Sequence, residues 1–187
     1  MSEVVSTDQI LRLYPQADEV LCERIRQAVD LVNRTAFPNA LQAHFDVVGD
    51  LQIGGFSPAG KDIRRHLAGA TAVVVGVCTL GAAIDRLIET LEVSDLALAY
   101  VVDLAAGIGV ENLAERECHS LRQQMEDRGF ACTGRYSCGY GDFDIAGQKD
   151  LLRISGADRA FRIQVNDGGM MYPTKSITYL VGLIPKH

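Results

Sequence analysis

Residues 70 to 77 read Ala-Thr-Ala-Val-Val-Val-Gly-Val. A nearly continuous apolar, β-branched run of this length is the pattern of a central strand buried on both faces. Such a strand requires apolar cover on both sides, and 48% hydrophobic against 22% charged residues supplies enough for a real core. A length of 187 residues suits one domain.

The elements around this strand follow from periodicity and caps. Ser6-Thr7-Asp8 caps a short helix through Leu13, which the Tyr14-Pro15 pair ends. Apolar residues at Val20, Leu21, Ile25, Ala28, Val29 and Val32 predict a helix from Asp18 to Thr35, stopped before Pro38. Leu41, Ala43, Phe45 and Val47 alternate with polar neighbours, which predicts a strand over 40–48. Leu51–Ile53 is expected to pair with it across Gly49-Asp50. Short helices are expected at Lys61–Leu67 and Gly81–Leu91. Ser94 is expected to cap a long helix from Asp95 to Arg128, roughly 50 Å at the α-helical rise, which Gly107 and Gly109 would kink or break. Gly129 is its natural stop. Strands at Phe130–Tyr136, Phe161–Val165 and Lys175–Leu183 and a helix at Ile145–Leu152 complete the reading. The elements interleave without a clean βαβαβ repeat. The expected fold is α+β, a twisted, mostly antiparallel sheet flanked by helices. Residues 1–38 form an N-terminal helical segment and 39–187 the α+β domain, together expected to make one compact unit.

Charge and cysteine usage narrow the function. The net charge is −6 with no block of Lys or Arg, so there is no electrostatic footprint for nucleic acid or an anionic membrane. The run near Ala70–Val77 is too short to span a bilayer. Five cysteines at 22, 78, 118, 132 and 138 contain no C-x-x-C pair, against a disulfide framework or structural zinc. The start, MSEVVSTDQI, has no basic and apolar leader pattern, so the expected location is the cytoplasm. Histidines 44, 66, 119 and 187 are scattered and form no metal-spacing cluster. Gly107-Ile108-Gly109 is half of a dinucleotide fingerprint, lacking the third glycine and the preceding strand. Val77 to Gly81 is a strand-to-helix turn that could take an anion or simply connect two elements.

Two clusters remain. The first is Gly134-Arg135-Tyr136-Ser137-Cys138-Gly139-Tyr140-Gly141-Asp142-Phe143. Its glycines let a backbone approach a ligand closely, Arg135 offers a planar fork for a carboxylate, and Tyr140 offers a ring face and a hydroxyl. A hairpin loop stiffened by aromatics reads equally from these residues. The second is Gly168-Gly169-Met170-Met171-Tyr172-Pro173-Thr174-Lys175-Ser176, either an adaptable apolar surface or a glycine turn leading into the core.

The first cluster resembles the R-x-x-x-G-Y motif of the activation domain of cobalamin-dependent methionine synthase. It is more similar still to the R-Y-S-P-G-Y-G-D-F form of short stand-alone members. The second resembles the family's M-x-P-x-K-S segment. Both occur in order, with a helix containing Gln148 between them. Upstream, Asp62 to Leu67, the buried strand into Thr79-Leu80-Gly81, and the long helix bearing Glu111 fit the same pattern across most of the chain.

The resemblance implies an S-adenosylmethionine-binding groove. Arg135 would hold the methionine carboxylate. Ser137, Cys138, Gly139 and Tyr140, with Met171 and Tyr172, would line the adenosine and methionine ends. Glu111 and Glu115 would face the ammonium or sulfonium. The two glutamates share a helix face, and the alternative is a solvated acidic stripe with a mutual repulsion of about 0.2–0.5 kcal/mol. No general base or nucleophilic side chain is needed, because the ligand already carries an activated methyl; orientation and exclusion of water suffice. The D-x-H-x-x-G signature of cobalamin binding is absent. The resemblance therefore implies that cobalamin comes with a partner: a corrinoid-binding protein or a truncated methionine synthase, served by a flavodoxin-like reductant. The expected role is a methyltransferase component in reductive methylation, and the alternative is a non-catalytic docking or gating subunit. Three departures stand out. Cys138 occupies a position where many relatives have proline, Asn166-Asp167-Gly168 replaces a Thr-Glu-Ser-like stretch, and the ligand-contacting N-terminal aspartate has no evident counterpart.

Overall fold

The computed structural model describes residues 3–186. In chain order its elements are α1 (Thr7–Leu11), α2 (Glu19–Thr35), β1 (Asn39–Asp46), α3 (Lys61–His66), β2 (Ala72–Thr79), α4 (Ala83–Ser94), α5 (Leu96–Asp127), β3 (Phe130–Cys132), α6 (Gly147–Ser155), α7 (Ala157–Ala160), β4 (Gln164–Val165), β5 (Met171–Tyr172) and β6 (Ser176–Pro185). Four strands form one sheet in the order β1-β2-β6-β3, and β4 and β5 form a separate hairpin. Every pair in both is antiparallel, so the fold is α+β with an antiparallel sheet flanked by helices.

The valine run is the buried centre of that sheet. Its side chains alternate between faces, as strand geometry requires. Val74 and Cys78 join Tyr179, Val181 and Leu183 of β6 in a large core under α2, α4 and α5. Val73 and Val75 join Leu180 in a second core with Ile63 of α3 and Leu151 of α6. Val77 packs with Leu152, Ala157 and Ile163 in a third. Gly76 interrupts the valines for a reason: a β-carbon there would lie 2.0 Å from the Tyr179 ring, which crosses the strand at that point. The helices of the first 38 residues pack into the same core as α5.

Local signals account for many of the boundaries. Ser6 and Gln9 form a capping box on α1, and Asp18 caps α2 by accepting from Leu21 N. Gly129, with φ +81°, ends α5. Five expectations need correction. The long helix runs unbroken for 32 residues through Gly107 and Gly109. Its cap is Asp95, which accepts from Leu98 N, while Ser94 is the last residue of α4. Tertiary structure decided between two good capping residues, because Arg24 of α2 holds both Asp95 oxygens at 2.8 Å. The strand expected over 161–165 shrinks to Gln164–Val165, preceded by α7 and by Arg162 at φ +55°. The strand expected over 130–136 stops at Cys132 and touches β6 again only at Tyr136, and the 51–53 pairing is a single bridge of Val48 with Gln52.

Helix α5 contains a stretch long and apolar enough to cross a membrane by length and composition, but half of that window is buried inside the fold. Its apolar residues, from Leu98 to Met125, make up much of the larger core.

Candidate functional site

The site is assembled where β3 loses its regular pairing. Thr133 N still donates to Gly182 O, and Tyr136 N and O bond to Leu180. The chain therefore keeps strand alternation, and neighbouring side chains go to opposite faces. Tyr136 turns toward α3, its ring 4.9 Å from His66 and 6.4 Å from Phe143. Arg135 turns toward α5, where Nη2 donates to Glu111 Oε2 at 2.8 Å and Nε lies 3.6 Å from Glu115 Oε2. Glu115 also meets Arg122 Nη1 at 3.4 Å. Burial of the Arg135 guanidinium opposes its charge, but the bond to Glu111 and the two carboxylates outweigh this, and its pKa sits above the ordinary arginine value. The Arg135 side chain is 24% exposed and the glutamates 55% and 57%. Ion pairs this exposed contribute about 0–1 kcal/mol, so a ligand that offers a carboxylate and an ammonium can replace them at little cost.

The rest of the first cluster folds on itself. Gly139 N donates to Phe143 O at 2.8 Å, and Phe143 N to Tyr140 O at 3.0 Å. Gly139 and Gly141 have φ of +88° and +54°. Asp142 closes the loop onto α3. Its carboxylate accepts from Lys61 N at 2.6 Å and Asp62 N at 3.0 Å, taking the capping role that Gly60 cannot fill. Those backbone bonds hold the Asp142 carboxyl below its usual pKa. The Tyr140 ring is exposed, and Ser137 is half-buried. Cys138 is buried with Phe143 in the second core, and burial pushes its thiol up to about 12. It packs as a small apolar residue and stays a thiol at neutral pH.

The second cluster is held by buried polar groups. Gln148 Nε2 donates to Gly169 O, and its Oε1 accepts from Thr178. Thr174 donates through both N and Oγ1 to Asp85 Oδ1, at 3.0 and 2.5 Å, while Asp85 Oδ2 is buried without a hydrogen bond. Ser176 Oγ donates to Pro173 O at 2.7 Å and lies 2.8 Å from Thr79 Oγ1. The Tyr172-Pro173 bond is cis. Met171 is half-buried against the third core, and Tyr172 is half-exposed. Lys175 Nζ donates to Asp103 of α5 at 2.7 Å.

The structure thus joins Arg135, Glu111 and Glu115 in one cluster. It brings the two glycine-rich segments together over Ile145, whose side chain lies against both Gly139 and Gly169. No hydrogen bond or ion pair among the described residues links Met171 or Tyr172 to Arg135. Asp85 and Asp103 carry no signal in the sequence; their partners Thr174 and Lys175 lie in the second cluster, in the polar run that leads into an apolar strand. No group of three or more His, Cys, Asp or Glu side chains able to hold a metal occurs among the described residues.

A cavity of about 640 Å³ opens where Glu3 to Ser6 cross α5, with Asn112, Glu115 and His119 on its wall. Glu115 thus faces both this cavity and Arg135. Cavities of about 320 and 280 Å³ flank the β4–β5 hairpin, one toward Ile145 and Lys149, the other toward Tyr172 and Thr174.

No protein-family model matches the chain, and no curated protein matches it in sequence. The fold is similar to the crystal structure of the MetH reactivation domain bound to AdoHcy, with a TM-score of 0.67, 15% identity, and coverage of 99% of this chain and 75% of that one. At this identity the likeness is one of fold.

Proposed function

We propose that the chain binds S-adenosylmethionine and supports reductive methylation of cobalamin carried by a separate corrinoid protein or truncated methionine synthase in the cytoplasm. A flavodoxin-like protein would supply the electron. The observation that carries this reading is the Arg135–Glu111–Glu115 cluster, set on a fold shared with a domain that was crystallised with AdoHcy, the demethylated form of S-adenosylmethionine. A guanidinium beside two carboxylates is the complement of an α-amino-acid end, which carries one carboxylate and one ammonium. On binding, Arg135 would exchange a glutamate for the ligand's carboxylate, and the released glutamate would take the ammonium. The ligand's methyl already sits on a positive sulfur, so the chain's own residues need only bind, orient and exclude water.

Calorimetric titration with S-adenosylmethionine tests the reading. Binding is expected, and Arg135→Ala should weaken it by about 1.5–3 kcal/mol, the range for a hydrogen bond to a charged group. No heat of binding to the folded chain at millimolar ligand would overturn it. Faster methylcobalamin formation on a corrinoid protein, given reductant and S-adenosylmethionine, would support the catalytic role. The alternative role, a docking or gating subunit, draws on the closed state of the cluster, in which Arg135 is already satisfied by its own glutamates. That role predicts binding to the corrinoid protein without such acceleration.

A further inference from the structure

Most of the exposed large apolar side chains fall into two groups. Tyr140, Ile145, Met170 and Tyr172 border the two glycine-rich segments of the candidate site. Leu13, Val20, Val93, Leu96 and Tyr100 belong to α1, α2 and the corner between α4 and α5, away from that site. Each of these five is more than half exposed, and Val93 is 91% exposed.

The five form one face. Leu13 adjoins Tyr14, which lies beside Tyr100, a neighbour that pushes the Tyr14 pKa up. Leu96 and Tyr100 are one turn apart on the outer side of α5. Val20 lies one turn before Arg24 on α2, and Arg24 holds both oxygens of Asp95, the residue before Leu96. At about 100 Å² for each side chain the patch is on the order of 500 Å², the upper end of what a monomer usually leaves uncovered. It has relief. The Val93–Leu96 corner projects, and beside it runs a groove of about 510 Å³ along α2, walled by Val20, Arg24, Gln27 and Asp95. The groove carries Glu19, Glu23 and Asp95 against Arg24 and Arg26, so the net charge of −6 is not concentrated there.

We propose that this face joins two copies of the chain about a two-fold axis, the Val93–Leu96 corner of each seating in the α2 groove of the other. A two-fold contact uses the same patch on both copies. Such a patch must carry a projection with its own recess, and charges of both signs. This one has all of these. Arg24 and Asp95 are each about a third exposed at their side chains, so each can turn to its counterpart across the axis. A strongly basic partner would match a surface of one sign, which the groove is not. A stable contact covers about 800 Å² on each copy, and the apolar patch with the groove walls is of that order. Glu111, which holds Arg135, lies about 22 Å further along α5 than Leu96, so the candidate ligand site of each copy stays outside the contact.

Sedimentation equilibrium of the full chain tests this, and a dimer is expected at micromolar concentration. Val93→Lys and Leu96→Glu keep the helices, because a cation at the end of α4 and an anion at the start of α5 both suit the helix dipole. A two-fold axis meets each change twice. Either should therefore weaken dimerisation at least about 30-fold, as a charge left unpaired in an interface does, with the melting temperature of the monomer unchanged. Val48→Lys, at an exposed valine outside the face, should leave dimerisation as in the wild type. A wild type that stays monomeric at millimolar concentration overturns the proposal. So does a dimer that survives both substitutions, or one that Val48→Lys dissolves equally, because the copies would then meet elsewhere.

Discussion

The two glycine-rich segments touch the same side chain, Ile145, yet they are held by opposite kinds of anchor. Beyond the backbone bonds of Tyr136 to Leu180, residues 134–143 are tied down by their own turn and by Asp142, an exposed carboxylate lying over the start of α3. Residues 168–176 are tied down by Gln148, Thr79 and Asp85, all buried. Buried polar anchors are costly to lose and so enforce a single geometry. Exposed ones are cheap to exchange. The second segment therefore behaves as framework, and the first offers the groups, Arg135 and Tyr140, that a ligand can reach.

The strongest challenge to this contrast is Thr174→Val. It removes the hydroxyl donor from a buried carboxylate whose other oxygen already lacks a partner. The expected loss is about 2–3 kcal/mol in denaturant unfolding, and a loss within error of zero would remove the framework role. Next come the glycines. Alanine at Gly169 must adopt φ +80° and would place its β-carbon 2.9 Å from Ile145 Cγ1, near the branch point of that side chain. Alanine at Gly139 meets only the Cδ1 end of Ile145, at 3.3 Å. Gly169→Ala should cost about 2–3 kcal/mol and Gly139→Ala about 1–2, the latter being the left-handed penalty alone. Equal melting temperatures for the two would mean that Ile145 yields equally to both. Asp142→Ala should have the smallest effect. Because the folded carboxyl titrates below its usual value, its contribution is present above the ordinary carboxylate range and is lost as pH falls through the lowered value. The melting temperatures of variant and wild type, separated at pH 7, should converge in acid.

Much of this was legible because it is local. The valine run, the Ser6 cap and the Gly129 stop depend on neighbours within a few residues, and each is found where the pattern puts it. The unbroken helix was not legible, because Gly109 is supported by Leu80 and Val4, both remote in sequence. Nor was the Asp95 cap, which Arg24 holds from another helix. At the site, Arg135 and Glu111 could be singled out separately, but their pairing across 24 residues is a product of how α5 lies on the sheet. Arg135 and Cys138, neighbours in one cluster, part company in the fold, the first turning toward α5 and the second into the second core.

The central register of the sheet has a kinetic consequence. Strands β2 and β6 are joined by Thr79↔Ser176, a span of 97 residues. Helices form within microseconds, but a pairing this distant must wait for closure of a long loop. Until then Val73 to Val77 have β1 on one side and an open row of backbone donors and acceptors on the other, on a segment with no charge to protect it. The partly folded chain is thus most adhesive along its most apolar strand, and the pairing that ends that exposure also positions Lys175 beside α5.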